Sequence, residues 1–211
     1  MTRIKVCGIM NPAELMQAAL AGADALGFVV EIESSRHCLS AGRAAQLIKI
    51  VPPFTKSVAV MAPQDVDGAV QLARQTGADI LQIHASLSAA EIAELKGRVR
   101  QKLVAGLAAG CSLEKAQSYA QSADALLLDT LAGGKLGGTG AVHDWNKSAE
   151  LARSLKVPVI LAGGLNPGNV AAAIEKVRPY AVDASSGLET SGKKDPEKVA
   201  AFVREVRACH Q

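Results

Sequence analysis

The chain alternates short aliphatic runs with longer stretches in which apolar residues recur at helical spacing. A short apolar run bounded by turn residues is typical of a strand buried on both faces. There are eight such runs: Ile4–Cys7, Ala25–Val30, Thr55–Val60, Ile80–His84, Lys102–Leu107, Ala125–Asp129, Val157–Ala162 and Tyr180–Ala184. They recur roughly every 25 residues, which is the size of one strand–helix unit in a small parallel barrel.

The stretches between the runs predict helices. From Val66 to Ala73, for example, apolar residues at i, i+3, i+4 and i+7 form a stripe that can lie on a sheet. Three dipeptides place an N-cap residue before a proline at the first helical position, namely Asn11-Pro12, Asn166-Pro167 and Asp195-Pro196. Ser88 and Glu91 have the spacing of a capping box.

A weak internal repeat marks three of the helix-to-strand turns. Each of three tripeptides directly precedes a strand, and they are Gly22-Ala23-Asp24, Gly77-Ala78-Asp79 and Ser122-Ala123-Asp124. Glycine after a helix supplies the left-handed residue that ends it. Shared ancestry and convergent turn chemistry explain the repeat about equally well.

Strands that alternate with helices predict a parallel sheet. Eight units can close into a (βα)8 TIM barrel, which we expect to span residues 1–211 as a single domain. An open doubly wound sheet is the alternative, but the first turn, Cys7-Gly8-Ile9-Met10, lacks the dinucleotide-binding glycines.

Composition narrows the function classes. Hydrophobic residues make up 49% of the chain and aromatic residues only 3%, which argues against a single-stranded nucleic-acid binder that stacks bases. The net charge of +3 is scattered and is compatible with small anionic ligands. No signal peptide or apolar stretch of bilayer length is evident, so we expect a cytoplasmic protein that binds no membrane. The His, Cys, Asp and Glu residues lack metal-site spacing, so no metal is expected.

Reactive side chains of a parallel barrel lie where strands end and the following loops begin. Cys7 ends the first predicted strand; a cysteine there is ordinarily an inert hydrophobe, but a thiol with a lowered pKa can act as a base. Asp129 ends the sixth after four apolar residues, and burial would raise its pKa and favour a general acid. A helix cap or a loop hydrogen bond is the alternative for Asp129.

Three further polar residues occupy the same face. His84 ends the fourth run and Asp183 lies in the eighth. Arg36 follows the second strand, and its planar fork suits a carboxylate, although a surface arginine needs no such partner. From position alone His84 and Asp183 are candidates for the site, whereas a surface residue is the simpler interpretation of Arg36.

Two glycine-rich segments follow the seventh and eighth strands, where many such barrels bind phosphate. The first contains Gly163 and Gly164, and the second contains Ser185, Ser186 and Gly187. Exposed backbone N–H groups bind a phosphate dianion well. Two ordinary tight turns are the alternative.

A third glycine-rich stretch, residues 133–140, follows Asp129 and contains five glycines. It lacks the ending of a P-loop. A mobile lid that excludes water, or a second set of backbone donors, is the expected role, with a disordered loop as the alternative.

Taken in order, these motifs resemble the phosphoribosylanthranilate isomerase family over essentially the whole chain. The matching segments are Lys5-Val6-Cys7-Gly8-Ile9, Ala25-Leu26-Gly27-Phe28-Val29, Ser34-Ser35-Arg36, Gln82-Ile83-His84, Leu127-Leu128-Asp129-Thr130, Gly133-Gly134-Lys135, Gly137-Gly138-Thr139-Gly140, Asp144-Trp145, Leu161–Val170 and Val182–Glu189. The family commonly has other residues where Ser35, Ala85 and Met61 stand.

The resemblance implies an Amadori rearrangement in tryptophan biosynthesis that needs no cofactor. Asp129 would be the general acid and Cys7 the general base. Arg36 would hold the anthranilate carboxylate, Asp183 and His84 would line the sugar site, and the two glycine-rich loops would hold the phosphate. A monomer and a homodimer are both compatible with the sequence.

Two other interpretations stay open at this point. A related sugar-phosphate barrel such as aminoimidazole-carboxamide ribotide isomerase would do the same chemistry, but it typically has aspartate where Cys7 stands. A non-catalytic barrel that only binds a ligand is the other, since fold does not dictate function.

Overall fold

The computed structural model describes residues 1–84, 86–132, 135–136 and 143–209. Within these residues eight parallel strands form one closed barrel, in which β1 pairs with both β2 and β8. The strands are β1 Arg3–Cys7, β2 Ala25–Val30, β3 Lys56–Met61, β4 Ile80–His84, β5 Lys102–Ala108, β6 Ala125–Asp129, β7 Val159–Leu161 and β8 Ala181–Ala184. The predicted (βα)8 architecture is confirmed.

Each strand of the described chain is followed by a helix on the outside of the barrel. The helices are α1 Pro12–Ala21, α2 Ala41–Ile48, α3 Val66–Thr76, α4 Ala89–Arg98, α5 Leu113–Ala120, α6 Trp145–Ser154, α7 Val170–Val177 and α8 Pro196–Ala208. Asn11 and Asp195 cap α1 and α8 ahead of a proline, as predicted, and Ser88 with Glu91 forms the predicted capping box of α4. None of these helices is apolar over a length that could cross a bilayer.

The predicted start of α7 at Asn166-Pro167 is wrong. The helix begins at Val170, and Asn169 is its N-cap residue. The backbone carbonyl of Asn166 accepts hydrogen bonds from the N–H groups of Asn169 and Val170, at 3.2 and 3.1 Å. Its side-chain oxygen accepts a further bond from Gly168 N at 2.8 Å. The Asn-Pro pair therefore marks a turn that leads into the helix.

Side chains alternate between two layers, because successive strand residues point to opposite faces of a sheet. On β1, Ile4 and Val6 belong to the large apolar layer between barrel and helices. Two smaller clusters of apolar side chains fill the barrel interior. One contains Val58 and Val60, and the other contains Leu127. Burial on both faces explains why the strands are continuous aliphatic runs.

The aspartates of the three repeated tripeptides have one shared role. Asp24 Oδ2 accepts a hydrogen bond from Ile4 N at 2.9 Å, and Asp79 Oδ2 accepts one from Ser57 N at 2.9 Å. Asp124 Oδ2 does the same with Leu103 N at 2.8 Å. Each carboxylate thus satisfies an N–H group at the start of the preceding strand, at the N-terminal end of the barrel, where features serve stability.

Three of the observed strands, β2, β4 and β6, match the predicted runs, and the other five differ from them by one or two residues at an end. The seventh strand begins at Val159 rather than Val157, because Pro158 has no N–H group to donate. Residues 133–134 and 137–142, which include most of the glycine-rich stretch expected to form a lid, lie outside the described part of the chain.

Candidate active site

The predicted site residues converge on the C-terminal mouth of the barrel. Cys7, His84 and Asp129 end β1, β4 and β6, and Asp183 lies on β8. All four side chains point into the barrel, because they alternate along their strands in step with Val104, Leu127 and the other interior residues. The closed sheet therefore gathers groups that are far apart in sequence.

Beneath Cys7 lies a buried ion pair that sequence reasoning missed. Lys5 Nζ and Asp183 Oδ2 are 2.7 Å apart, and their side chains are 5% and 8% exposed. The two residues are direct partners in the β1–β8 register. Burial alone would lower the pKa of Lys5, but the Asp183 carboxylate and the Cys7 thiol outweigh it, so the pKa is raised and the ammonium stays charged. In the sequence, the sign of this ion pair is a lysine inside an aliphatic run.

The Cys7 thiol occupies a gap left by a glycine on the neighbouring strand. Gly27 is the register partner of Cys7, and a Cβ at that position would stand 2.7 Å from Cys7 Sγ. Burial raises the pKa of the Cys7 thiol, and the Lys5 ammonium opposes this rise. The pKa of Cys7 in the free protein is therefore raised, whereas a base must be present as the thiolate.

Asp129 has the electrostatics expected of an acid. The residue is 9% exposed, and its Oδ1 accepts a hydrogen bond from Thr130 N at 2.7 Å. Burial raises the pKa of Asp129, while the nearby His84 ring works in the opposite direction. A carboxyl group that keeps its proton to higher pH can donate it to a substrate oxygen.

His84 also faces a glycine across the sheet. Gly106 on β5 is its register partner, and a Cβ there would stand 3.1 Å from His84 Nδ1. The side chain of Gln82, two residues earlier on the same face, is buried below it. The barrel mouth is thus kept open beside His84 by the absence of a side chain at position 106.

The loops after β7 and β8 are packed against the rest of the mouth. Gly163 has a φ of 90°, and a Cβ on it would stand 2.2 Å from Thr130 Oγ1 and 2.9 Å from Thr130 N. Gly164 also has a positive φ, of 65°. Only glycine combines this backbone conformation with such a close approach.

The second of these loops begins at Ser185 and makes a short 3-10 turn, Ser186–Leu188. A Cβ on Gly187 would stand 2.1 Å from the carbonyl oxygen of Leu165, so the β8 loop touches the β7 loop directly. The two loops therefore form one continuous surface with backbone N–H groups at the end of the barrel, as a phosphate site requires.

Arg36 lies at the rim of the mouth, where its guanidinium pairs with the carboxylate of Glu189. Glu189 is almost buried and also contacts His37, whose Nε2 is 2.9 Å away, and Lys194. Burial would raise the pKa of Glu189, but hydrogen bonds from His37 and Lys194 lower it to about 2. The Arg36 side chain remains 57% exposed, so it can still meet a ligand.

A tight hairpin creates the Glu189–Lys194 pair. Ser191 and Gly192 have φ values of 52° and 78°, which fits a type I′ turn. The turn makes Glu189 and Lys194 direct antiparallel partners. In the sequence Glu189 is recognisable only as the end of a motif. Its link to Arg36 was not predicted, because the two residues are 153 positions apart.

Two of the three positions that depart from the family pattern can be located. Met61 is buried in the layer between barrel and helices and does not reach the mouth. Ser35 lies in the rim loop, and its Oγ accepts a hydrogen bond from His37 N at 3.2 Å. Ala85 lies outside the described residues.

A family model described as N-(5'-phosphoribosyl)anthranilate (PRA) isomerase matches residues 4–205. The chain belongs to this family. Among curated phosphoribosylanthranilate isomerases, that of Methanothrix thermoacetophila is 54% identical over 99% of this chain and 100% of its own. That of Methanocella arvoryzae is 42% identical over 98% and 99%.

Solved phosphoribosylanthranilate isomerases have the same fold. The Thermotoga maritima enzyme superposes with a TM-score of 0.86 at 30% identity, and covers 99% of this chain and 100% of its own. A phosphoribosylanthranilate isomerase in complex with reduced 1-(o-carboxyphenylamino)-1-deoxyribulose 5-phosphate gives 0.83 at 28% identity, with the same coverage. In that relative the fold holds an anionic sugar phosphate that also carries a carboxyphenyl group.

Proposed function

We propose that the protein isomerises N-(5'-phosphoribosyl)anthranilate to 1-(2-carboxyphenylamino)-1-deoxyribulose 5-phosphate, a step of tryptophan biosynthesis. The observation that carries the proposal is the presence of a buried carboxyl group, Asp129, and a thiol, Cys7, at two strand ends of one barrel mouth. An acid and a base that converge on one sugar are what an aldose–ketose rearrangement needs, and no cofactor is required.

Asp129 would act first. In the proposed sequence its carboxyl group donates a proton to the ribose ring oxygen, and the C1–O bond breaks while the anilino nitrogen forms an iminium ion. The raised pKa of Asp129, which results mainly from burial, supports this role because the carboxyl group keeps its proton to a higher pH than an ordinary aspartate does.

Cys7 would act second. As a thiolate it removes the proton from C2 of the iminium ion, which gives an enolamine that tautomerises to the ketone product. The thiolate is the form that accepts a proton, so the base must be ionised in the reactive complex. The positive charge of the iminium ion favours that ionisation.

The remaining predicted residues would bind the substrate. Arg36 suits the anthranilate carboxylate, because its fork is exposed at the rim. Asp183 Oδ1 is buried, and within the described part of the chain it has no hydrogen-bond partner, so it can accept one from a ribose hydroxyl. His84 would line the same space.

The phosphate would lie on the two glycine-rich loops. We assign it to the backbone around Gly163 and Gly164 together with Ser185, Ser186 and Gly187, because these segments touch each other after β7 and β8, where many such barrels bind phosphate through backbone N–H groups. The distance from this surface to Cys7 and Asp129 then decides which sugar phosphates fit.

The test is the protein-dependent loss of phosphoribosylanthranilate fluorescence, with the substrate generated in place from anthranilate and phosphoribosyl pyrophosphate by the preceding enzyme. We expect a rate far above spontaneous decay, and a loss of at least about 100-fold in kcat for Cys7→Ser and for Asp129→Asn. Cys209→Ser, after the end of α8, and Asp67→Asn, on the exposed side of α3, serve as matched controls outside the mouth. Absence of a rate from folded protein, or turnover of aminoimidazole-carboxamide ribotide instead, would refute the proposal.

We also propose that the protein is a homodimer. A solved Thermotoga maritima relative is described as dimeric. In this chain Phe54 is fully exposed and Ile50 is 47% exposed at the N-terminal end of the barrel, where Met1 and Tyr180 border a groove. Exposed apolar side chains that lie together are typical of an interaction surface. Light scattering should give twice the chain mass, and Phe54→Ser should give the monomer; a monomeric wild-type protein would exclude the dimer.

The proposed location is the cytoplasm. All four cysteines, Cys7, Cys38, Cys111 and Cys209, are free thiols, which suits a reducing compartment. Fractionation of the source cells followed by immunodetection tests this location, and recovery with a membrane or secreted fraction would contradict it.

A further inference from the structure

The proposed mechanism assigns no role to the ammonium group of Lys5, which is buried against Asp183. Lys5 and Asp183 are linked at 2.7 Å inside the barrel, directly below the thiol that would act as the base. Burying two charges is costly and does little for stability compared with apolar packing. Such a pair at the floor of a site points to a contribution to the chemistry above it.

Lys5 runs alongside Cys7. The two residues are separated by one position on β1 and so face the same side of the sheet. One point, the Cβ position of Gly27, lies 2.7 Å from Cys7 Sγ and 3.1 Å from Lys5 Cε. The end of the lysine side chain is therefore a near neighbour of the thiol, while Asp183 holds its ammonium group.

Three charged side chains act on the Cys7 thiol, and each comes from an element described above. β1 contributes Lys5, β8 contributes Asp183, and the hairpin beyond β8 contributes Lys194 at longer range. On the other side β2 presents Gly27, which carries no charge. Asp129 lies elsewhere in the same mouth and feels both members of the pair.

These groups act on the thiol in opposite directions. Burial and the Asp183 carboxylate raise the pKa of Cys7, whereas the nearby Lys5 ammonium lowers it. Asp183 in turn keeps Lys5 protonated in an apolar interior. The net charge of the pair is close to zero, but its positive end is the one beside the sulfur.

We propose that Lys5 is a positioning residue for the base, because its ammonium, anchored by Asp183, supplies the positive charge that favours the thiolate form of Cys7. The inference rests on the proposed function in one respect only, the use of Cys7 as base. A wrong substrate would leave the electrostatic relationship between the two side chains intact.

The experiment measures the ionisation of Cys7 without turnover. In a background with Cys38→Ser, Cys111→Ser and Cys209→Ser, the rate of alkylation of Cys7 by iodoacetamide is followed from pH 6 to pH 11. Lys5→Met should raise the midpoint of this profile by about one pH unit or more, since an opposite charge at contact distance shifts a pKa by that much.

The test is specific because a second substitution should shift the midpoint in the opposite direction. In the Lys5→Arg background, whose guanidinium stays charged without Asp183, Asp183→Asn should lower the midpoint, because it removes a negative charge and leaves the positive one. Lys5→Arg alone should keep the midpoint near the wild-type value. Lys102→Met, which changes an exposed lysine at the other end of the barrel, is the matched control and should not move it. A general loosening of the barrel would shift Lys5→Met and Asp183→Asn in the same direction.

An unchanged midpoint in folded Lys5→Met protein, or a rise when Asp183→Asn is added to Lys5→Arg, would overturn the inference. If Lys5→Met does not fold, the direction of the shift in the Lys5→Arg background decides. In Lys5→Met the basic pKa of the kcat profile should move with the alkylation midpoint, with little change in KM. Shifted alkylation in a protein that turns over no phosphoribosylanthranilate would refute the proposed function and leave the present inference standing.

Discussion

Gly27 lies beside Cys7 in the closed sheet, and a Cβ at position 27 would stand 2.7 Å from Cys7 Sγ and 3.1 Å from Cys7 Cα. The thiol therefore has its position because its neighbour has no side chain. The same relationship recurs across the mouth, where Gly106 faces His84. The barrel makes room for a reactive side chain by placing glycine next to it.

Replacing that glycine should move the thiol without unfolding the barrel. We expect Gly27→Ala to lower kcat by about 10- to 100-fold, since a displacement of about 1 Å at a catalytic group costs that much. Steady-state kinetics together with a melting curve would check this. Gly97→Ala in α4 is the control, because a Cβ there meets nothing within 4 Å and alanine favours a helix. Equal activity of the two variants would show that the gap at Gly27 is unnecessary.

Arg36 should determine affinity rather than rate. Arg36→Lys keeps the positive charge but loses the bidentate fork, so we expect KM to rise by about 10-fold with kcat nearly unchanged. Arg36→Ala should raise KM further. Arg43→Ala, on the exposed side of α2, is the matched control. A fall in kcat at constant KM would place Arg36 in the chemical step instead.

Substitution of Gly187 should lower both the stability of the protein and its affinity for the phosphate group of the substrate. A Cβ there would overlap the Leu165 carbonyl at 2.1 Å, so Gly187→Ala must separate the two loops. We expect a loss of about 1–3 kcal/mol in the free energy of unfolding, the usual range for overpacking, and a higher KM. Denaturant unfolding and kinetics would measure both. Gly110→Ala, on the same end of the barrel but with nothing within 4 Å of its Cβ, should change neither.

Glu189 should make stability depend on pH in the acid range. Its pKa is about 2 in the folded protein against an ordinary value of 4.5, so the native state binds fewer protons than the unfolded chain between these values. Its contribution is therefore complete above pH 4.5 and is lost as the pH falls through about 2.

The check compares wild type with Glu189→Gln in urea. At pH 7 we expect the variant to be less stable by about 3 kcal/mol, the cost of breaking a buried ion pair. The deficit should shrink steadily below pH 4.5, because protonated glutamate and glutamine are then alike. A deficit that is independent of pH would mean that the carboxylate charge contributes nothing.

Much of the architecture was predictable because it is encoded locally. A strand buried on both faces must be aliphatic, and a helix on its outside must have an apolar stripe, so eight units could be counted without knowing how they pack. The errors arose at the ends of helices and strands, where individual hydrogen bonds decide which residue is the first or the last. The turn from Asn166 to Asn169 delayed α7, and Pro158 shortened β7.

The candidate acid and base were predictable for a similar reason. A polar residue at the end of an apolar strand is at the mouth of any parallel barrel, so Cys7 and Asp129 could be named from position, and the family resemblance supplied their expected roles. The rise in the pKa of Asp129 also followed from the four apolar residues before it. The rise in the pKa of Cys7 did not, because it depends on its neighbours in space.

What the sequence by itself determined is thus the number of units, the inward positions and the chemical type of each candidate residue, all of which follow from periodicities of two and 3.6 residues. Only the tertiary structure decided which side chains meet. Lys5 reaches Asp183 across 178 residues, and Arg36 reaches Glu189 across 153. Such contacts depend on strand register and barrel closure, which bring together groups that no local pattern relates.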